Sequence, residues 1–253
     1  MAPMVVTMMV HDSKDDNTDE SSLLPINYRP SLTFVNDTTR NEAAKKFAEH
    51  HLLPFFHEDL ERLANMVRPV PDFPRPGIDF CHVLGISQQP GGLPLCTSLL
   101  QTHCTGGWSK VYTVVCCEVG GIVYASALAL AARVDVPLLL ICEAGKLPPP
   151  TISVIKPPSN ISSLTSNNSK EKRIEMDRDV VPKGASVVVV DDVLSTGETL
   201  CAVVKLLNKA GTDAEDVSIM VVAEFPVHCG RKLLRQRGFG RTNIQSLLVF
   251  DGD

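Results

Sequence analysis

One stretch, ASVVVVDDVLSTGET at residues 185–199, limits the folds open to this chain more than any other. Residues 187–190 are consecutive valines, too few for a helix and without polar alternation, so they predict a parallel strand buried on both faces. Asp191 and Asp192 follow at once. Small residues fill 195–199, and then Leu200, Val203, Val204, Leu206 and Leu207 recur at helical spacing through residue 210. In an open α/β sheet, ligands sit beyond the carboxyl ends of the strands, where a helix N-terminus offers unpaired amides and positive dipole to a phosphate.

Residues 195–199 would form that phosphate cradle. Gly197 lets the backbone approach closely, and the hydroxyls of Ser195, Thr196 and Thr199 can donate to phosphate oxygens. Glu198 is expected to turn to solvent, because a buried unpaired charge there is costly. Asp191 and Asp192 repel a phosphate and suit sugar hydroxyls or a divalent cation. A phosphate holder beside a diol holder describes a ribose 5-phosphate site. Taken alone, the stretch also fits a Rossmann-like or receiver-like strand that ends in an incidental Asp-Asp pair.

The 253 residues suffice for one α/β domain with an appendage, or at most two small domains. A net charge of −5 and the lack of any basic run argue against nucleic acid as a partner. No apolar stretch approaches the ~18 residues of a membrane span. Residues 1–10 are apolar, but no Lys or Arg precedes them and residues 12–20 are acidic, the wrong flank for a targeting peptide. Residues 1–37 are therefore expected to be a disordered acidic tail, and 38–253 the folded domain. The eight cysteines have neither CxxC nor metal-ligand spacing and read as reduced thiols of a cytoplasmic protein.

Residues 41–53 and 57–66 predict helices broken at Pro54. His50, His51 and His57 on those helices read as solvated imidazoles rather than metal ligands, since no further ligand cluster accompanies them. Residues 68–80, RPVPDFPRPGIDF, are too rich in proline for a helix interior and must run extended. A helix at 92–103, a buried strand at 111–117, a turn at 118–122, a helix at 124–133 and a buried strand at 136–142 follow. Residues 149–172 turn to Pro, Ser, Asn and Thr, the composition of a lid or of disorder. Order resumes at residue 173, with strands at 217–223 and 244–250 around a helix at 231–237. Such alternation predicts a parallel sheet flanked by helices.

The strand-Asp-Asp-Thr-Gly-x-Thr pattern resembles the phosphoribosyl-diphosphate (PRPP) loop of type I phosphoribosyltransferases. PDFPRPGI at 71–78 and AGKLP at 144–148 resemble the adenine phosphoribosyltransferases in particular, and the likeness runs from about residue 68 to 250. It implies an α/β fold with a small N-terminal hood at about 68–82, a mobile catalytic lid at about 147–172, and a homodimer. It also implies a transfer of ribose 5-phosphate from PRPP to a purine base, with Mg²⁺ and basic side chains on the departing diphosphate. PRPP-binding positions carried over by the resemblance are Asp191, Asp192, Ser195, Thr196, Gly197, Glu198, Thr199, Lys146 and Gly120, with Mg²⁺ near Asp191 and Asp192. The base would lie against Asp79, Phe80 and Cys81.

The chain departs from the family pattern on the diphosphate side. Gly120 stands where relatives usually carry Arg, and Cys142-Glu143 where they carry Arg-Lys. Cys81-His82 replaces a usual Arg-Asp, and the Glu-Tyr pair of the lid has no counterpart. No catalytic residue is assigned. Lys156, Lys170, Lys172 and Arg173 either replace the lost cations or form a solvated charged loop. Two functions therefore follow as expectations: a Mg²⁺-dependent purine phosphoribosyltransferase, or a PRPP- or nucleotide-binding regulatory protein of little or no turnover.

Overall fold

The computed structural model describes residues 4–8, 28–30, 32–36, 53–73, 76, 80–104, 107–131, 136–157 and 172–250. In chain order the strands are β1 (Met4–Met8), β2 (Tyr28–Pro30), β3 (Leu32–Asn36), β4 (Arg68–Val70), β5 (Phe80–His82), β6 (Thr113–Cys117), β7 (Leu138–Glu143), β8 (Thr151–Ile155), β9 (Arg173–Asp177), β10 (Val187–Leu194), β11 (Val217–Glu224) and β12 (Asn243–Phe250). The helices are α1 (Leu53–Ala64), α2 (Gly92–His103), α3 (Gly120–Ala131), α4 (Glu198–Ala210) and α5 (Gly230–Gln236). Pro54 stands in the first turn of α1, where a missing amide hydrogen costs nothing.

An eight-stranded sheet in the order β2-β12-β11-β10-β6-β7-β9-β8 carries the fold. The run from β12 to β7 is parallel, and β2, β9 and β8 join antiparallel. The valines of β10 explain its central place. Val188 and Val190 enter the core on one face, with Tyr124, Ala125 and Leu128 of α3, and Val187 and Val189 enter the core on the other, with α4. From this centre the chain winds outward in both directions, β6 to β7 one way and β10 through β11 to β12 the other. The helices after β6 and β10 thus leave on opposite faces, and a crevice opens at the carboxyl ends of these neighbouring strands.

Two expectations change. Asp191 and Asp192 lie within β10, because the main-chain ladder to β11 runs on through Leu194. Among the described residues of the segment 1–37 are the short strands β1 to β3, of which β2 pairs with β12 at the sheet edge. The β-branched and aromatic residues Thr33, Phe34 and Val35 of LTFVN suit the pairing of β3 with β1, and Pro30 is tolerated because β2 is an edge strand. Within the expected lid, residues 151–155 form β8, which pairs with all of β9, since alternating Ile152 and Val154 give it an apolar face. Residues 158–171 of the lid, and the helix expected at 41–53 up to residue 52, lie outside the described residues.

Candidate active site

The phosphate turn is held open by two glycines. Gly197 precedes α4 at φ 80°, a left-handed conformation that L side chains rarely adopt, and a Cβ there would lie 2.8 Å from the carbonyl oxygen of Gly230. A Cβ on Gly230 would in turn overlap the Ser195 carbonyl and the Leu194 side chain. The start of α5 is therefore pressed against the turn and fixes its path. Ser195, Thr196 and Thr199 are half-buried around it. The first amides of α4 have no partner within the helix and are available to an anion.

Glu198 does not turn to solvent. Its carboxylate lies 3.6 Å from the Arg237 guanidinium beyond α5, and its Oε2 is buried without a hydrogen-bond partner. The negative charge in the phosphate turn is thus drawn to Arg237. Behind α5, Arg231 makes a two-pronged pair with the buried Glu224 at 2.6 and 2.7 Å and also donates to Ser246 and to the Ile244 carbonyl. That pair ties α5 to the carboxyl end of β11, beside the turn.

Asp191 is buried, and burial, followed by the negative charge of Asp192, pushes its carboxyl well above the usual carboxylate range. Asp192, half-buried, is raised as well, mainly by burial. Both press on the start of α3: a Cβ on Gly120 would overlap the Asp192 carboxylate, and one on Gly121 would lie 3.1 Å from an Asp191 oxygen. Of the pair, Asp192 is the one open to a ligand. Two acids forced together in a desolvated place fit a partner that supplies hydroxyl protons or a divalent cation, so the donors present suit both ribose and Mg²⁺. Among the described residues no group of three or more acidic, Cys or His side chains could hold a metal unaided.

The hood stands beside the acids. Strands β4 and β5 pair antiparallel, Phe80 packs edge-on against Phe73 at 5.1 Å, and Cys81 is half-buried. Asp79 lies outside the described residues. The buried Tyr124 of α3 donates to the Val83 carbonyl at 2.8 Å, binding hood to sheet.

Lys146 is not free. It makes a two-pronged bond to Glu118, at 2.7 and 2.8 Å, and Glu118 also accepts the Glu143 amide at 2.6 Å. Lys146 thereby holds the Glu118 carboxyl below its usual range. Glu175, buried on β9, accepts the amides of Gly145, Lys146 and Leu147 at 2.7, 3.0 and 3.1 Å and the Thr151 hydroxyl at 3.2 Å. The Leu147 amide leads in holding its carboxyl below the ordinary value. Sequence reasoning missed Glu118 and gave Glu175 no role. A carboxylate at the end of β6, aligned with Asp191 and Asp192 at the end of β10, was the available signal.

Of the lid cations, Arg173 is engaged with Ser153. The charge of Lys156 acts on Asp191 and Glu118. Burial pushes the thiols of Cys116 and Cys117 up to about 12, so they are protonated core groups.

Residues 82–234 match the phosphoribosyl transferase domain model, and the chain belongs to that family. Within it the chain stands beside the adenine phosphoribosyltransferases. It is 30% identical over 196 residues to the adenine phosphoribosyltransferase of Aliivibrio salmonicida, covering 77% of this chain and 98% of the relative. Against that of Roseiflexus castenholzii it is 33% identical over 177 residues, covering 70% and 94%. The crystal structure of APRTase from Giardia lamblia complexed with 9-deazaadenine shares the fold, with a TM-score of 0.65 at 24% identity over 77% of this chain and 98% of that one.

Proposed function

We propose that this chain is an enzyme that transfers ribose 5-phosphate from PRPP to a purine base with Mg²⁺, giving a nucleotide and diphosphate, and that it acts as a cytoplasmic homodimer. The observation that carries the reading is the joining, in the carboxyl half of β10 and just after it, of an acidic pair and a glycine-dependent turn before α4, in the crevice between helices that leave on opposite faces of the sheet. The turn at 195–199 binds the 5-phosphate. Asp192 accepts hydrogen bonds from the ribose hydroxyls, while the hood, through Phe80 and Cys81, covers the base. Mg²⁺, when bound with PRPP near Asp191 and Asp192, supplies positive charge for the departing diphosphate. Lys146 reaches that diphosphate only after leaving Glu118.

A second reading, a PRPP- or nucleotide-binding regulator of little turnover, is favoured by that same engagement of Lys146 and by the bare Gly120. Incubation of the protein with PRPP, Mg²⁺ and a panel of purines and pyrimidines, with products identified by mass, separates the two. A nucleotide and diphosphate from a purine support the transferase. Stable binding of PRPP without product from any base refutes it in favour of the regulator.

A further inference from the structure

Both ends of α5 bear on the phosphate turn. At its start, Gly230 packs so closely on Gly197 and on the Ser195 carbonyl that neither glycine has room for a Cβ. Just past its end, the Arg237 amide donates to the Leu233 carbonyl at 2.9 Å, and the guanidinium reaches back to Glu198, the first residue of α4. Cys201, three residues on along the same face of α4, is buried in the core that Leu234 of α5 shares, so this face of α4 is the one turned to α5. The Glu198 side chain is 20% exposed there, against 50% for Arg237. At 3.6 Å the two are further apart than a hydrogen bond, and so loose and half-open an ion pair adds little to the stability of a fold. Its place gives it another use. A carboxylate in the first turn of a helix is drawn to the same positive end that a phosphate needs, so an uncompensated Glu198 competes with the ligand. Neighbouring cations are engaged elsewhere: Arg231 with Glu224, Ser246 and the Ile244 carbonyl, and Arg241 with Glu215.

We infer that Glu198 and Arg237 together set the charge of the 5-phosphate site, with Arg237 a positioning residue that holds the acid of the turn towards α5 and cancels its charge, so that a phosphate dianion can enter. This role rests on the assignment of residues 195–199 to the 5-phosphate. Arg237 acts through Glu198 and need not touch the ligand. Removing either member of the pair therefore changes the charge beside the phosphate in opposite senses, and removing both restores it.

Dissociation constants of ribose 5-phosphate, measured by titration calorimetry on the full chain at low salt, test the pair. Arg237→Gln is expected to weaken binding about tenfold, and Arg237→Lys, which keeps the charge, to stay within about threefold of the wild type. Glu198→Gln should tighten binding by about threefold or more, and the double change should return it to within about threefold of the wild type. Raising the salt to about 0.5 M should shrink these differences, since they are electrostatic. A merely structural pair gives another pattern, in which both single changes weaken binding and the double change is no better than either. That pattern, a loss in Arg237→Lys as large as in Arg237→Gln, or single changes that move binding by less than about twofold, overturns the role of Arg237. Failure of the wild type to bind ribose 5-phosphate at all refutes the phosphate turn itself, and the role of the pair with it.

Discussion

Gly197→Ala is the sharpest probe of the phosphate turn. The substitution puts a Cβ on a residue at φ 80°, 2.8 Å from the Gly230 carbonyl oxygen, with the Gly230 Cα at 3.1 Å. Left-handed backbone for a residue other than glycine costs about 1–3 kcal/mol. The contact is with backbone at the start of α5, which Arg231 and Glu224 hold in place, so relief requires a main-chain shift of about 1–3 kcal/mol more. The sum, roughly 2–6 kcal/mol, corresponds to a fall in melting temperature of about 4–24 °C for a chain of this size. Differential scanning fluorimetry with and without ribose 5-phosphate reads both the fall and the loss of ligand-induced stabilisation. Gly211→Ala is the control: at φ 102° it carries the same backbone strain, but its nearest neighbour is a Lys183 side chain at 3.8 Å, so only the smaller fall is expected and the ligand shift should persist. If Gly197→Ala melts like Gly211→Ala and keeps its ligand shift, the turn is not pinned by α5 and the reasoning fails.

Replacing Asp191 and Asp192 together by Asn should abolish PRPP-dependent thermal stabilisation while raising the melting temperature of the free protein, because their mutual repulsion in a buried place is removed; an unaltered ligand shift refutes the ribose assignment. Arg231→Met strands the buried Glu224 and should cost about 3 kcal/mol in denaturant unfolding, of which a second change, Glu224→Leu, restores part. Burial lowers the His103 imidazole from 6.5 to about 4, so the unfolded chain takes up its proton first as pH falls. Stability should therefore be intact above pH 6.5 and decline by about 3 kcal/mol towards pH 4, and His103→Gln should remove that slope from the unfolding curves.

Local order was legible wherever one periodicity ruled a segment. The valines of β10, the apolar spacing of α4 and the span of α2 at residues 92–103 follow from pattern alone. Boundaries were less legible, since the ladder that carries β10 past Asp191 to Leu194 depends on its neighbour β11. The strand at 151–155 hid in a Pro-Ser-Thr context because its partner lies across the lid in β9. In the site, the phosphate turn could be read from residue types. The partners of its charges could not: Glu198 meets Arg237, Lys146 meets Glu118 and Glu175 meets three amides, all across distances in sequence that only the fold brings together.

The account stands on the turn between β10 and α4 as the holder of the sugar's 5-phosphate. A crystal structure of the full chain with ribose 5-phosphate tests it most directly. The expected result is phosphate oxygens within hydrogen-bond reach of the amides and hydroxyls at 195–199, with the ring hydroxyls towards Asp192. A phosphate at the start of α3, against Gly120 and Gly121, would contradict it.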